Sequence, residues 1–142
     1  PNQFGLLDAE ANKILPGKRP LSSMSPTIVM KNNELFFTTG SPGGSRIISA
    51  VLQSILNIID FEMNLEEATY AKRIHHQWQP DILEIELSID DEIKSELEAM
   101  GYEIRIRRPL TCIQTIMYKN KMYSGYGDFR RPDAFASGNI ND

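Results

Sequence analysis

A proline and two adjacent glycines, in the run Thr39-Gly40-Ser41-Pro42-Gly43-Gly44-Ser45-Arg46, separate two apolar segments of different period. Before them, Leu35-Phe36-Phe37-Thr38-Thr39 is a strand-length run of β-favouring residues. After them, Ile47, Ile48, Val51, Leu52, Ile55, Ile58 and Ile59 recur at steps of three and four, which puts them on one face of a helix over 45–60. In a strand-turn-helix unit the helix's first unpaired N–H groups converge beside the turn, and such a point holds a negatively charged oxygen. Adjacent glycines let a ligand approach with no Cβ in the way. A phosphate, a carboxylate and the oxyanion of an acyl-transfer intermediate are the candidate ligands. The phosphate reading lacks a P-loop lysine, since Arg46 is the nearest cation, and Gly40, Gly43 and Gly44 do not make G-x-G-x-x-G. The pattern by itself also leaves open a turn that is only structural.

Other segments support one α+β domain, as the length of 142 residues does. Residues 27–30 and 35–39 form a hairpin across Lys31-Asn32-Asn33-Glu34, because asparagine tolerates the positive φ of a tight turn. Asn64 caps a short helix over 65–71, with Glu66 and Glu67 complementing its dipole. Residues 82–87 read as a strand, a helix opens at Asp90-Asp91-Glu92 and stops at Gly101, and 103–106 complete a β-α-β step. A second hairpin joins 112–118 to 121–125 at Lys119-Asn120. Residues 1–20 read as an extended connection anchored by Phe4, Leu6 and Leu7, and from Asp128 the chain is rich in Pro, Gly, Asn and Asp.

A net charge of −4 provides no large basic surface, so nucleic acid is not an expected partner. The basic cluster Arg105-Ile106-Arg107-Arg108 alternates with apolar residues and reads as an edge strand. No run reaches the roughly eighteen apolar residues of a membrane helix, and Pro1-Asn2-Gln3-Phe4 does not open like a signal peptide. The single Cys112 reads as a small core residue.

A second polar cluster, Pro20-Leu21-Ser22-Ser23-Met24-Ser25-Pro26, sets three hydroxyls between two prolines, where they either form turns or grip a carboxylate. His75 and His76 have no sequence link to either serine group, so they read as packing or hydrogen-bonding loop residues. Adjacent histidines without a third ligand do not make a metal site, and neither metal nor cofactor is expected.

Taken together, 18–27, 39–48 and Arg73-Ile74-His75-His76-Gln77-Trp78 with Pro80-Asp81 resemble the γ-glutamyltransferase family. Residues 82–131, through Tyr123, Gly125 and Asp128-Phe129-Arg130-Arg131, resemble the family's C-terminal end more loosely. The resemblance implies part of the αββα sandwich of N-terminal nucleophile hydrolases. It makes residues 1–142 the C-terminal part of the small subunit of an autoprocessed precursor, with the large subunit as partner. It implies that Gly43 and Gly44 form an oxyanion hole and that Ser22 and Ser23 bind the substrate's α-carboxylate. The substrates it implies are glutathione and related γ-glutamyl amides, with amino acids, peptides or water as acceptors, in the periplasm or outside the cell. The nucleophile it implies is a threonine upstream of the segment like 1–18. No threonine here, including Thr27, Thr38, Thr39 and Thr69, stands in its place, so the 142 residues alone are expected to be inactive. Alternatives are an acylase or poly-γ-glutamate processing enzyme of the same fold, or a structural fragment that pairs through its sheet edges.

Overall fold

The computed structural model describes residues 10–87 and 89–138. The anchors expected at Phe4, Leu6 and Leu7 lie outside the described residues. Residues 10–12 make one 3₁₀ turn, and the chain then runs exposed and irregular to the first strand.

Four strands form an antiparallel sheet in the order β1-β2-β6-β7, made of β1 (Thr27–Lys31), β2 (Glu34–Gly40), β6 (Gln114–Lys119) and β7 (Met122–Gly127). Both hairpins close as two-residue turns with positive φ at each position, at Asn32-Asn33 and at Asn120-Lys121. The second turn is one residue later than expected, because both of its central residues must adopt left-handed dihedrals and Lys121 is one of them. The strand expected from Cys112 begins at Gln114, and Cys112 and Ile113 are buried in the segment leading into it.

Between β2 and β6 the chain forms α1 (Arg46–Ile59), α2 (Leu65–Tyr70) and a small sheet in the order β3-β4-β5. That sheet consists of β3 (Ile74–His75), β4 (Leu83–Glu86) and β5 (Ile104–Arg107), and the crossover α3 (Asp91–Ala99) makes β4 and β5 parallel. Asn64 caps α2 in a capping box with Glu67, each satisfying the other's backbone N–H. At the far end of α3, Gly101 and Tyr102 donate back to Glu98 and Leu97, a Schellman closure with Gly101 at positive φ. His75 is not in a loop: its backbone pairs with β4, and its side chain is buried.

The core beneath the large sheet gathers Phe37, Ile58, Leu65 and Ala68, with Val29, Phe36, Ile55, Met63 and Met117 packed around them. Burying Phe37 completely contributes about 1.5–3 kcal/mol. The apolar face expected of α1 is divided: Ile47, Val51 and Ile58 are buried, whereas Ile48, Leu52 and Ile59 are exposed at 56%, 53% and 46%. The seven residues span too wide an arc for one sheet to cover.

Every residue of β4 is buried, including both glutamates. Each carboxylate is therefore matched by guanidinium groups, as the cost of burying a lone charge demands. Glu86 takes two hydrogen bonds from Arg130, at 2.8 and 2.7 Å. Asp128, with no exposed surface, accepts from the Ile113 N–H and pairs with Arg73 and Arg130. Arg130 also donates to the Thr69, Tyr70 and Ala71 carbonyls, closing the C-terminal end of α2. Burial lowers the Arg73 pKa and the neighbouring Arg130 charge adds to the effect, against the pull of Asp128 and Glu86. Burial acts the same way on Arg130, but the hydrogen bonds and charges of Glu86 and Asp128 outweigh it and leave that group raised. This four-residue clasp joins the end of the large sheet to the small sheet and to α2.

Candidate active site

β2 delivers the chain to Gly40, and α1 begins at Arg46, so the glycine turn lies at a strand-to-helix junction as its flanking periods imply. Gly43 has φ +138° and Gly44 φ +61°, conformations that disfavour any residue with a Cβ. A Cβ at Gly43 would also lie 2.8 Å from the Thr111 hydroxyl oxygen. Ser45 occupies the N-cap of α1 without a side-chain capping bond. Instead the Arg46 and Ile47 N–H groups turn back to the Gly43 and Gly44 carbonyls, each at 3.2 Å. Across a trans peptide the C=O and the following N–H point in opposite directions, so the Gly44 N–H is directed away from the helix. Among the described residues no acceptor meets the Gly43 or Gly44 N–H.

The serine cluster comes to this turn. Ser23 Oγ donates to the Gly44 carbonyl at 2.6 Å, across 21 residues of sequence. Ser22 Oγ accepts from the Met24 N–H at 3.2 Å, which leaves its own proton for another partner. The segments expected at 22–23 and at 43–44 are thus neighbours through Ser23 and Gly44, and Ser22 beside them is exposed.

Arg46, the cation nearest the turn, is directed elsewhere. Its guanidinium makes a two-pronged contact with Glu84, at 2.6 and 3.0 Å, and Arg107 adds bonds of 2.9 and 2.7 Å to the same carboxylate. Burial pushes the Glu84 carboxyl up, but the hydrogen bonds and charges of Arg46 and Arg107 outweigh it and bring the pKa down to about 2. An anion placed at the turn would therefore be met by backbone N–H dipoles and the helix terminus rather than by a side-chain cation.

His75 and His76 lie apart from this site. His75 Nδ1 bonds Ser49 Oγ at 2.8 Å and its Nε2 bonds Gln77 at 3.1 Å, while His76 pairs with Asp81 at 2.9 Å. Among the described residues no three His, Cys, Asp or Glu side chains cluster in a way that could hold a metal ion, and no helix is long and apolar enough to cross a membrane.

Sequence reasoning missed Ser41 and Thr111, which lie under the turn. Ser41 Oγ is 2.6 Å from Thr111 Oγ1 and 2.7 Å from the Cys112 carbonyl, and Thr111 Oγ1 donates to the Pro42 carbonyl. No local motif marks Thr111, because its partners are about 70 residues away. The clasp had one available signal: Leu83-Glu84-Ile85-Glu86 places two acids in a strand between apolar residues, and two buried acids require arginines.

A strand, a glycine turn with outward N–H groups, a helix and adjacent hydroxyls form an arrangement able to hold an oxyanion, on an α+β fold of two sheets with helices. Comparisons with known proteins narrow the class. The Gamma-glutamyltranspeptidase family profile matches residues 1–138, and the chain belongs to that family. It is 45% identical over 140 residues to a glutathione hydrolase proenzyme of Escherichia coli, covering 97% of this chain and 24% of that protein. A solved γ-glutamyltranspeptidase of Helicobacter pylori superposes with a TM-score of 0.86 at 48% identity, over 92% of this chain and 73% of that one. One from Pseudomonas nitroreducens, complexed with L-DON, gives 0.88 at 36% identity, over 99% and 74%. The chain spans about a quarter of the length of the curated relatives it matches.

Proposed function

We propose that this chain is the C-terminal part of the small-subunit catalytic domain of a glutathione hydrolase, and that it supplies the oxyanion hole and the carboxylate-binding hydroxyls. The observation that carries the reading is the 2.6 Å contact of Ser23 with Gly44. In a γ-glutamyl group four carbon–carbon bonds separate the α-carboxylate from the reacting carbonyl, a span of about 5 Å. Hydroxyls and N–H groups this close serve both ends of one such group.

A threonine elsewhere in the full-length protein attacks the γ-carbonyl, with its own α-amino group taking the proton. The carbonyl oxygen gains the negative charge and is met by the Gly43 and Gly44 N–H groups. Collapse of the tetrahedral intermediate expels the amine, which takes the proton, and leaves a threonyl ester. Water or an amino acid or peptide acceptor then repeats the sequence at the ester carbonyl, using the same N–H groups. Ser22, whose proton is free, and Ser23, by turning its proton from the Gly44 carbonyl to the substrate, hold the distal carboxylate and so fix the carbonyl's position. The large subunit of the same precursor is the partner that completes the site, and the compartment is the periplasm or the exterior.

The test is release of nitroaniline from γ-glutamyl-p-nitroanilide by the full-length protein and its Gly43→Ala variant. The expected result is turnover by the wild type and a loss of about 10²–10³-fold in kcat in the variant, with none from residues 1–142 alone. A wild-type protein that leaves this anilide intact but cleaves a glutaryl anilide would refute the γ-glutamyl reading.

A further inference from the structure

Gly43 is able to take up its conformation because it is glycine, but its chemistry does not hold it there. With positive φ and no side chain, the Pro42–Gly43 peptide can rotate, and an N–H that rotates is a poor oxyanion donor. Its carbonyl edge is met by Thr111, whose hydroxyl donates to the Pro42 oxygen from across the fold, and by the adjacent Ser41 Oγ at 2.8 Å. The opposite edge of that peptide is the Gly43 N–H, so the bond directs the N–H away from Thr111, to the exposed side of the turn.

Thr111 is itself held from below. Its carbonyl accepts from Arg73 at 3.4 Å, and the nearby Ile113 N–H is bound by Asp128 at 2.8 Å, both parts of the buried clasp. Its hydroxyl is 7% exposed as part of the residue and meets Ser41 Oγ at 2.6 Å. Each hydroxyl has one proton: Thr111 gives its proton to Pro42, and Ser41, 2.8 Å from that same carbonyl, gives its own to Thr111 Oγ1, to the Cys112 carbonyl or to Pro42. We propose that Thr111 is a positioning residue for the oxyanion hole, orienting the Gly43 N–H through the Pro42 carbonyl without touching substrate. The catalytic consequence rests on the function proposed above.

The experiment compares wild type, Thr111→Val and Thr111→Ser in the full-length protein, with Thr111→Ala in place of valine should that variant not fold. With γ-glutamyl-p-nitroanilide, T111V is expected to lose about 10–100-fold in kcat with KM within about threefold, because ground-state binding does not use the oxyanion donors. T111S retains the donor and recovers kcat to within about threefold of wild type. Hydrogen–deuterium exchange of the peptide over 41–47 is faster in T111V and at the wild-type rate in T111S. Wild-type kcat and wild-type exchange in T111V would overturn the proposal, as would a T111S variant no better than T111V. If the wild type has no turnover, the function proposed above fails, and the exchange rates still decide whether Thr111 holds the turn.

Discussion

Glu84 offers a prediction with a magnitude and a sign. The side chain is almost fully buried, faces Arg46 from α1 and Arg107 from β5, and has Arg105 at 3.9 Å. Its pKa in the folded protein is about 2, below the ordinary 4.5, so the carboxylate stabilises the native state. For a depressed pKa, that contribution is complete above the unfolded value and is lost as pH falls through the folded one. At about 1.4 kcal/mol per unit, the shift is worth roughly 3 kcal/mol at neutral pH. At pH 3 the unfolded carboxyl is already protonated while most of the native one is not, and the contribution falls to roughly 1.4 kcal/mol. Glu84→Gln keeps the shape and removes the charge. Urea unfolding of wild type and E84Q in the full-length protein, followed by circular dichroism at both pH values, should show a gap of about 3 kcal/mol that halves at the lower pH. A gap that is the same at both, or below about 1 kcal/mol at neutral pH, would refute the electrostatic account.

Three further outcomes are expected. Arg130→Met leaves Glu86 and Asp128 buried with Arg73 as their remaining charged partner, which costs about 3–5 kcal/mol and shows as a lowered Tm; Arg130→Lys does not restore it, having no planar fork for Glu86. Ser22→Ala raises KM for a γ-glutamyl anilide by about tenfold with kcat near wild type, whereas Ser23→Ala, which also releases the Gly44 carbonyl, changes both; equal effects in steady-state kinetics would contradict this division. Asn64→Ala removes the capping box of α2 and lowers stability by about 1 kcal/mol in denaturant unfolding.

The local elements were legible because their signals are local. Asn32-Asn33 specifies its turn, Asn64 its cap and Gly101 its helix end, each through dihedral preference or a side chain within three residues. The glycine turn was visible for the same reason, since a strand period and a helix period meet across it. What was not legible depends on pairing at a distance. Periodicity placed Ile48 and Leu52 with Ile47 and Val51, but which half of that arc is covered depends on the sheet opposite. Glu84 and Glu86 were read as strand residues, and their arginines come from α1, β5 and the segment after β7. Thr111 carried no mark at all, because a lone threonine after Pro109 is ordinary and its importance arises only once β6 pairs with β2.

That pairing also sets an order of events during synthesis. β2 and α1 leave the ribosome before β6 does and can form the glycine turn from neighbouring residues, yet the hydroxyl beneath it is 69 residues further on, and the Thr39–Thr115 bond beside it closes a loop of 76. Contacts of such separation form only after the intervening chain has been made and its loop entropy overcome. While the residues between α1 and β6 are being made, then, the nascent protein carries a glycine turn whose Pro42 carbonyl has no Thr111 beneath it, and the turn is fixed only when β6 docks on β2.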